Sequence, residues 1–197
     1  QFASAELIAP NTYRLSRLLR GRRGTEHHRT THTAGEEFAM LSTATRVTRP
    51  ISEVNVSLLY KVVPAGTYLE DQQAFQFTWT GESLKPFSPV HLRAVRSNNG
   101  DIEVSWMRRS RIGQELVLPG DVPLGELYER YYIDVYADYP SGQVVNTYTV
   151  NNATTFTYTA DMQAADQIDI TKALNMAFRI CQVSDLIGRG YPAVVKV

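Results

Sequence analysis

The chain has 197 residues, which is enough for one large or two small domains with a buried core. Twenty Lys and Arg residues balance twenty Asp and Glu, and this zero net charge argues against nucleic-acid binding through the overall field. No run of about 20 apolar residues could span a bilayer, and a single cysteine excludes an internal disulfide framework. The sequence begins at Gln1, and we expect it to be a fragment of a longer protein.

The first 87 residues are the less regular part of the chain. Residues 13–20 fit neither the helical nor the strand period, so a strand and a short helix both stay open. Strands are predicted at 38–41, 52–62 and 73–80. Two prolines within residues 85–89 then break any strand pairing. We therefore predict a small, barrel-like β domain over residues 1–87.

Residues 88–197 alternate apolar and polar side chains over short runs separated by turn signals, which is typical of antiparallel strands with one solvated face. Strands are predicted at 90–96, 101–106, 130–137, 143–150, 154–160, 175–183 and 191–197, with a short helical turn at 161–172. This strand count is typical of an immunoglobulin-like sandwich, and the lack of a cysteine pair favours its fibronectin type III-like variant. The whole chain is thus predicted to be all-β.

One face of these strands is predicted to form the core of the sandwich. Trp106, on the second strand, should face the inward side chains of the opposite sheet. Those side chains belong to Tyr131, Ile133, Val135, Phe178 and Ile180.

A long insertion, residues 107–129, separates the second and third predicted strands, where a few residues would suffice. Long loops in compact domains are often functional. The insertion begins with three arginines, which are candidates for contact with another subunit: Arg108, Arg109 and Arg111.

A second arginine cluster lies near the start of the chain. Residues 14–29 hold six arginines, no lysine and one acid, Glu26. Arg forms rigid, bidentate bonds with carboxylates and tolerates partial burial, whereas a solubilising stretch would be expected to include Lys. We predict that four of these arginines bond to an adjacent subunit or domain: Arg17, Arg20, Arg22 and Arg23. A solvated turn and a contact with DNA are the alternatives.

No constellation in the sequence favours catalysis. His28 and His32 have a zinc-ligand spacing for a helix, but Gly35 and the Thr-rich context favour an exposed loop. Cys181 lies on a predicted strand and is expected to be a buried thiol. A nucleophile elbow and a phosphate-binding loop are both absent from the sequence. We predict no catalytic residue, no metal site and no cofactor, and therefore no enzyme.

Four tyrosines of the predicted sandwich are expected on an outer face: Tyr132, Tyr136, Tyr139 and Tyr148. Aromatic side chains on a β face often bind sugars or partner proteins, which makes these residues candidates for ligand binding. Cross-strand pairing that stabilises the sheet explains them equally well.

Three strings resemble the large baseplate hub proteins of gene transfer agents and related siphophage tails. They are Y-R-L-S-R-L-L-R-G-R-R-G-T-E at 13–26, D-V-P-L-G-E at 121–126 and I-G-R-G-Y-P-A at 187–193, in the order of that family. The family is akin to the tail tip attachment proteins of lambda-like phages. One departure is Leu116, where the family has a Trp, so any contact of that Trp does not carry over.

The resemblance implies a structural component of a tail tip or baseplate hub, located in a virion or phage-like particle at the distal end of the tail tube. The implied partners are other hub protomers in a homotrimer and neighbouring baseplate proteins. Any hydrolase-like domain of the family would lie upstream of this fragment, and no catalytic residue carries over. The alternative function is host recognition, in which the sandwich binds a cell-surface glycan or protein through its tyrosines and the 107–129 insertion.

Overall fold

The computed structural model describes residues 1–22, 24–45, 47–112, 122–168 and 175–197. Contacts divide the chain into two units, one formed by Gln1–Glu36 with Pro86–Val197 and the other by Glu37–Lys85. The two domains inferred above, 1–87 and 88–197, stay a prediction. Among the described residues the elements are antiparallel strands, three single-turn 3₁₀ helices and one short α-helix, which confirms the all-β class.

The chain begins with a hairpin of two strands, β1 (Ser4–Ala9) and β2 (Thr12–Ser16). Asn11 occupies the turn with a φ of 57°, a left-handed conformation that Asn tolerates well. Residues 13–16 are therefore a strand, which decides between the two alternatives that the sequence left open. A single 3₁₀ turn follows at Glu26–His28.

The unit Glu37–Lys85 contains a second hairpin, β3 (Ser57–Tyr60) paired with β4 (Phe75–Thr78). Arg49 lies over the rings of Tyr60 and Phe77, with its guanidinium carbon 4.7 and 5.2 Å from the ring centres. Single 3₁₀ turns lie at Ile51–Glu53 and Glu82–Leu84.

Two expectations for the first 87 residues are wrong. Residues 38–41 form no strand, because no described strand pairs with them, and Leu41 is 81% exposed. The described strands of residues 1–87 form two separate two-stranded sheets, so they close no barrel.

The remaining strands form a sandwich. Its first sheet has the order β5 (Val90–Arg96), β6 (Ile102–Met107), β9 (Thr155–Tyr158), and its second sheet has β7 (Arg130–Tyr136) between β8 (Val144–Asn151) and β10 (Ala177–Ser184). The short β11 (Gly188–Arg189) and β12 (Ala193–Lys196) both pair with β10. Three strands facing a sheet centred on β7 and β10 give a fibronectin type III-like sandwich, as predicted.

The core lies between the two sheets and consists of the predicted residues. Trp106 is 3% exposed and meets the Tyr131 ring edge-on, with 5.0 Å between ring centres. The other inward side chains that were predicted are fully buried: Ile133, Val135, Phe178 and Ile180.

A short helix, α1 (Ala160–Ala165), follows β9. Thr159 caps it, because its hydroxyl accepts a hydrogen bond from the amide of Met162 at 3.2 Å. The predicted turn at 161–172 thus begins one residue earlier, and its residues 169–172 lie outside the described part of the chain. No helix among the described residues is long and apolar enough to cross a membrane.

Candidate interaction surfaces

The N-terminal hairpin has one apolar face. Pairing of β1 with β2 places four apolar side chains on one side: Ala5, Leu7, Tyr13 and Leu15. We call this side the hairpin face. The opposite side is polar, with the Ser4 and Ser16 hydroxyls 2.6 Å apart and Glu6 facing Arg14. Leu7 and Tyr13 are 62% and 60% exposed, so most of the hairpin face is unpacked in this chain.

Two arginines at the end of this hairpin are available for a partner. Arg17 and Arg20 are exposed, and neither makes a hydrogen bond or ion pair with another described residue. Arg22 instead donates to the side-chain oxygen of Gln1, which ties it to the start of the chain. The fourth predicted contact residue, Arg23, lies outside the described residues.

The segment after the hairpin is anchored to the sandwich. Gly24 is buried against the Phe87 ring, and the His27 ring stacks on Tyr191 with 4.0 Å between centres. Glu26 accepts a hydrogen bond of 2.6 Å from Arg109. Burial raises the pKa of the Glu26 carboxyl, but the Arg109 hydrogen bond, a backbone hydrogen bond and the nearby positive charge together hold this pKa below its ordinary value.

All three arginines of the insertion bond within the chain. Arg109 bonds to Glu26, as described above, while Arg108 donates to the Val122 carbonyl at 2.6 Å and lies 3.4 Å from Glu129. Arg111 donates to Glu126 at 2.8 Å. Because their guanidinium groups are already engaged, an additional contact with another subunit stays a prediction for these three residues.

The outer face of the larger sheet holds a buried carboxylate. Asp134, on β7, is 1% exposed and accepts hydrogen bonds from Arg179, Arg189 and Thr147 at 2.6–2.7 Å. Burial raises the pKa of Asp134, but the hydrogen bonds from Arg189, Thr147 and Arg179 outweigh burial and lower this pKa overall. Cys181 is buried beside this cluster, and burial raises the pKa of its thiol.

Three of the four predicted tyrosines lie around this cluster. The Arg189 guanidinium lies over the Tyr132 ring at 4.9 Å, and the Arg179 guanidinium lies over the Tyr136 ring at 5.3 Å. Tyr139 meets Tyr136 edge-on, with 5.3 Å between ring centres. The guanidinium groups therefore cover ring faces on which a sugar could stack.

Tyr148 does not share this outer face, contrary to expectation. It pairs directly with Ile133, whose side chain points into the core, so Tyr148 points inward as well. Its hydroxyl donates a hydrogen bond of 2.6 Å to Asp166. The sequence of β8 does not alternate strictly, because Val144 and Val145 are both apolar and the next two residues are both polar. The strand alone therefore does not decide which set of side chains faces inward.

Sequence reasoning missed the partners of Asp134. A carboxylate between Tyr132 and Tyr136, with Arg179 on a later strand, is a signal for a cross-strand ion pair. The signal could not be used, because the pairing of Asp134 with Arg179 depends on the register of two strands far apart in sequence. Among the described residues, no group of three His, Cys, Asp or Glu side chains is placed to hold a metal ion.

Comparison with known proteins gives one partial family match. Residues 1–39 match the family model described as "Rcc01698-like, C-terminal", which is associated with gene transfer agents. These 39 of 197 residues contain the hairpin and the Arg-rich segment but none of the strands of the sandwich. No curated protein matches the sequence significantly.

Two solved structures match this chain at low similarity. The extracellular domains d3–d4 of rat CD45 match at 13% identity and a TM-score of 0.38, over 98% of this chain and 93% of that one. The FN5 domain of Drosophila Lar matches at 18% identity and a TM-score of 0.32, over 57% of this chain and 96% of that one. Both TM-scores are low, so the fold assignment rests on the strand order described above.

Proposed function

We propose that this chain is a structural component of a phage-like tail tip or baseplate hub, and that it holds a neighbouring subunit through its N-terminal hairpin. The observation that supports this most is the unpacked hairpin face. It lies within the residues that match a family associated with gene transfer agents. The unpacked hairpin face and the partial family match both agree with a structural, non-enzymatic role in the particle.

The hairpin face has the physical properties of a docking surface. A two-stranded hairpin alone is marginally stable in water, and burying its apolar side against a partner would stabilise both. Arg17 and Arg20 lie at the end of the same hairpin, with donors that no described residue uses. The partner surface should therefore be apolar at its centre and carry carboxylates at its edge.

The proposed partners are other hub protomers, in a homotrimer, and neighbouring baseplate proteins at the distal end of the tail. Host recognition through the outer-face tyrosines is supported less well. The guanidinium groups over Tyr132 and Tyr136 compete with a sugar for the same ring faces.

Single charges placed on the two sides of the hairpin test this proposal. Leu7→Asp puts a carboxylate on the hairpin face, whereas Ser4→Asp puts the same group on the polar side. In particles assembled with each variant, Leu7→Asp should reduce incorporation of the protein at least about tenfold, because a charge buried at an interface is costly. Ser4→Asp should assemble like the natural protein, and both variants should keep the melting temperature of the isolated chain. Equal incorporation of the two variants would contradict the proposal.

Substitutions of Arg20 and Arg14 test the proposed contact with the neighbouring subunit independently of Leu7. Arg20→Ala should weaken incorporation without changing the fold of the isolated chain, while Arg14→Ala, whose partner Glu6 lies on the polar side, should not. If the isolated chain instead binds DNA in a strongly salt-dependent way that Arg20→Ala abolishes, the segment contacts nucleic acid.

A further inference from the structure

The second hairpin of the chain, β3 with β4, also has one apolar side. Pairing of these strands places four apolar side chains together on it: Leu58, Tyr60, Phe75 and Phe77. We call this side the aromatic face. Phe75 and Phe77 are 51% and 49% exposed, even though Arg49 lies over the Phe77 ring. The aromatic face therefore keeps about half of both phenylalanine side chains open to a partner.

The edge of the aromatic face is acidic. The loop that joins β3 to β4 carries Glu70 and Asp71. Both acids are exposed, and neither makes a hydrogen bond or ion pair with another described residue. The lysine of this loop, Lys61, instead donates to the Leu69 carbonyl at 2.9 Å. Two carboxylates at this end of the hairpin are therefore available to a partner.

The hairpin face and the aromatic face are complementary in size and in charge. Each consists of four side chains, two from each of its strands, and two such faces can stack about 10 Å apart. Arg17 and Arg20 lie at the end of the hairpin face, whereas Glu70 and Asp71 lie at the end of the aromatic face. Arginine and carboxylate form strong, often bidentate hydrogen bonds. The stacked faces would therefore be apolar at the centre and charged at the edge, as protein interfaces commonly are.

We propose that the hairpin face of one copy of this chain docks on the aromatic face of a neighbouring copy. The inference rests on the proposed function, in which the hairpin face holds a neighbouring subunit, and it names the surface that is held. A contact between two hairpin faces, or between two aromatic faces, would leave these arginines and carboxylates without each other. A head-to-tail contact pairs them, and it is the type of interface that forms a ring such as the proposed homotrimer.

Sedimentation of the whole chain, from about 10 µM to about 1 mM, tests the proposal. The natural chain should associate weakly, with a Kd of about 0.1–1 mM, because a small interface must also order two exposed hairpins. Leu7→Asp and Phe77→Asp should each weaken association at least about tenfold, since each places a carboxylate inside the apolar contact. Thr78→Asp, an exposed position on the polar side of β3 and β4, should leave association unchanged.

A mixture of the two disruptive variants tests whether the contact is head to tail. The Leu7→Asp chain keeps an intact aromatic face, and the Phe77→Asp chain keeps an intact hairpin face. The mixture should therefore associate although neither variant does so alone. A natural chain that stays monomeric at about 1 mM, a mixture no stronger than its components, or an effect of Thr78→Asp equal to that of Phe77→Asp would each overturn the proposal.

Charge reversal at the edge is a second test that leaves every apolar side chain in place. Glu70→Lys with Asp71→Lys should weaken association at least about threefold, because lysines would then face arginines. Arg17→Glu with Arg20→Glu should weaken it equally, because acids would face acids. A mixture of these two double variants should associate as strongly as the natural chain, since opposite charges face each other again. Failure of this mixture to recover would contradict the proposed pairing.

Incorporation into particles separates this inference from the proposed function. If Leu7→Asp and Phe77→Asp both reduce incorporation at least about tenfold, the two proposals are supported together. If only Leu7→Asp reduces it, the hairpin face holds a different surface, and this inference alone is wrong. If Leu7→Asp has no effect, both proposals are wrong.

Discussion

The buried carboxylate of Asp134 is expected to stabilise the outer face of the sandwich. Arg179 and Arg189 bond to its carboxylate and are 36% and 43% exposed at their side chains. We expect Asp134→Asn to lower the free energy of unfolding by about 2 kcal/mol. The loss should stay below the ~3–5 kcal/mol of a fully buried pair, because water screens both guanidinium groups. Urea unfolding measures this change.

A matched control for this substitution is Asp185→Asn. Asp185 pairs with Arg130 at 3.5 Å on the surface, where an ion pair contributes only about 0–1 kcal/mol. If both variants unfold at the same urea concentration, burial does not strengthen the Asp134 cluster.

The pH dependence of stability follows from the same residue. The folded-state pKa of Asp134 lies below the ordinary value of 3.8, so its stabilising contribution is complete above about pH 3.8. That contribution is lost as the pH falls through the lowered pKa. Unfolding measured from pH 6 down to about pH 2 should therefore show a weaker acid dependence in Asp134→Asn than in the natural protein. Parallel curves for the two proteins would contradict the assignment.

Among the elements, Asp166 at the end of α1 links the two sheets of the sandwich. Its carboxylate accepts hydrogen bonds from Tyr148 on β8 and Tyr158 on β9, at 2.6 and 2.7 Å. Asn146 on β8 donates a third hydrogen bond to this carboxylate, at 2.6 Å. Each net hydrogen bond is worth about 1 kcal/mol, so Asp166→Ala should lower the free energy of unfolding by about 3 kcal/mol. Asp161→Ala, an exposed acid in the same helix, should change it by less than about 1 kcal/mol.

Alkaline titration of the tyrosine hydroxyls is a second test of their hydrogen bonds to Asp166. Burial and the Asp166 hydrogen bond raise the pKa of Tyr148 to about 12, above the ordinary value of 10. The stability gained from the protonated phenol is complete below pH 10 and is lost as the pH rises towards about 12. In Asp166→Ala we expect this loss to be smaller and phenolate absorbance to appear at lower pH. An unchanged titration curve would exclude Asp166 as a cause of the raised pKa.

The anchor of the N-terminal segment depends on one glycine. Gly24 has a φ of 81°, and a Cβ there would overlap the Phe87 ring, whereas Gly35 has a φ of 88° and open space around it. Both Gly→Ala variants incur the same backbone strain, so their difference isolates the steric clash. Gly24→Ala should cost an additional ~1–3 kcal/mol and speed trypsin cleavage after Arg29. Equal cleavage rates in the two variants would mean that Phe87 does not hold the segment.

The alternation of the sandwich strands was enough to predict its core. Alternate residues of a regular strand lie on the same face, as do Tyr131, Ile133 and Val135. Because this face is the more apolar one, it is expected to point into the core. The burial of Asp134 on the opposite face was not predictable, because Arg189 reaches it from β11 after a turn. The hairpin face was not predictable for the same reason. Its apolar side chains come from two strands, and they share one side only because Leu7 pairs with Tyr13.

Across the whole molecule, buried apolar side chains concentrate in the sandwich. Among the described residues of Glu37–Lys85, only Gly81 is buried, and Leu59 is 73% exposed. A unit with so little buried surface cannot offset the conformational entropy that folding removes. Its hairpin of β3 and β4 should therefore open far more often than the sandwich strands.

Hydrogen exchange on the isolated chain tests this division of stability. Amides of β7 and β10 should exchange only through global unfolding, because their side chains form the core. Amides of β3 and β4 should exchange at least about a hundredfold faster, through local opening, since few apolar contacts hold them. If the chain is a particle component, assembly should slow exchange in β1 and β2 while leaving β7 unchanged, because the hairpin face gains a partner and the core strand β7 gains none. If the amides of β3 and β7 exchange at equal rates in the isolated chain, the prediction is wrong. The unit Glu37–Lys85 would then be stable although it has few buried residues.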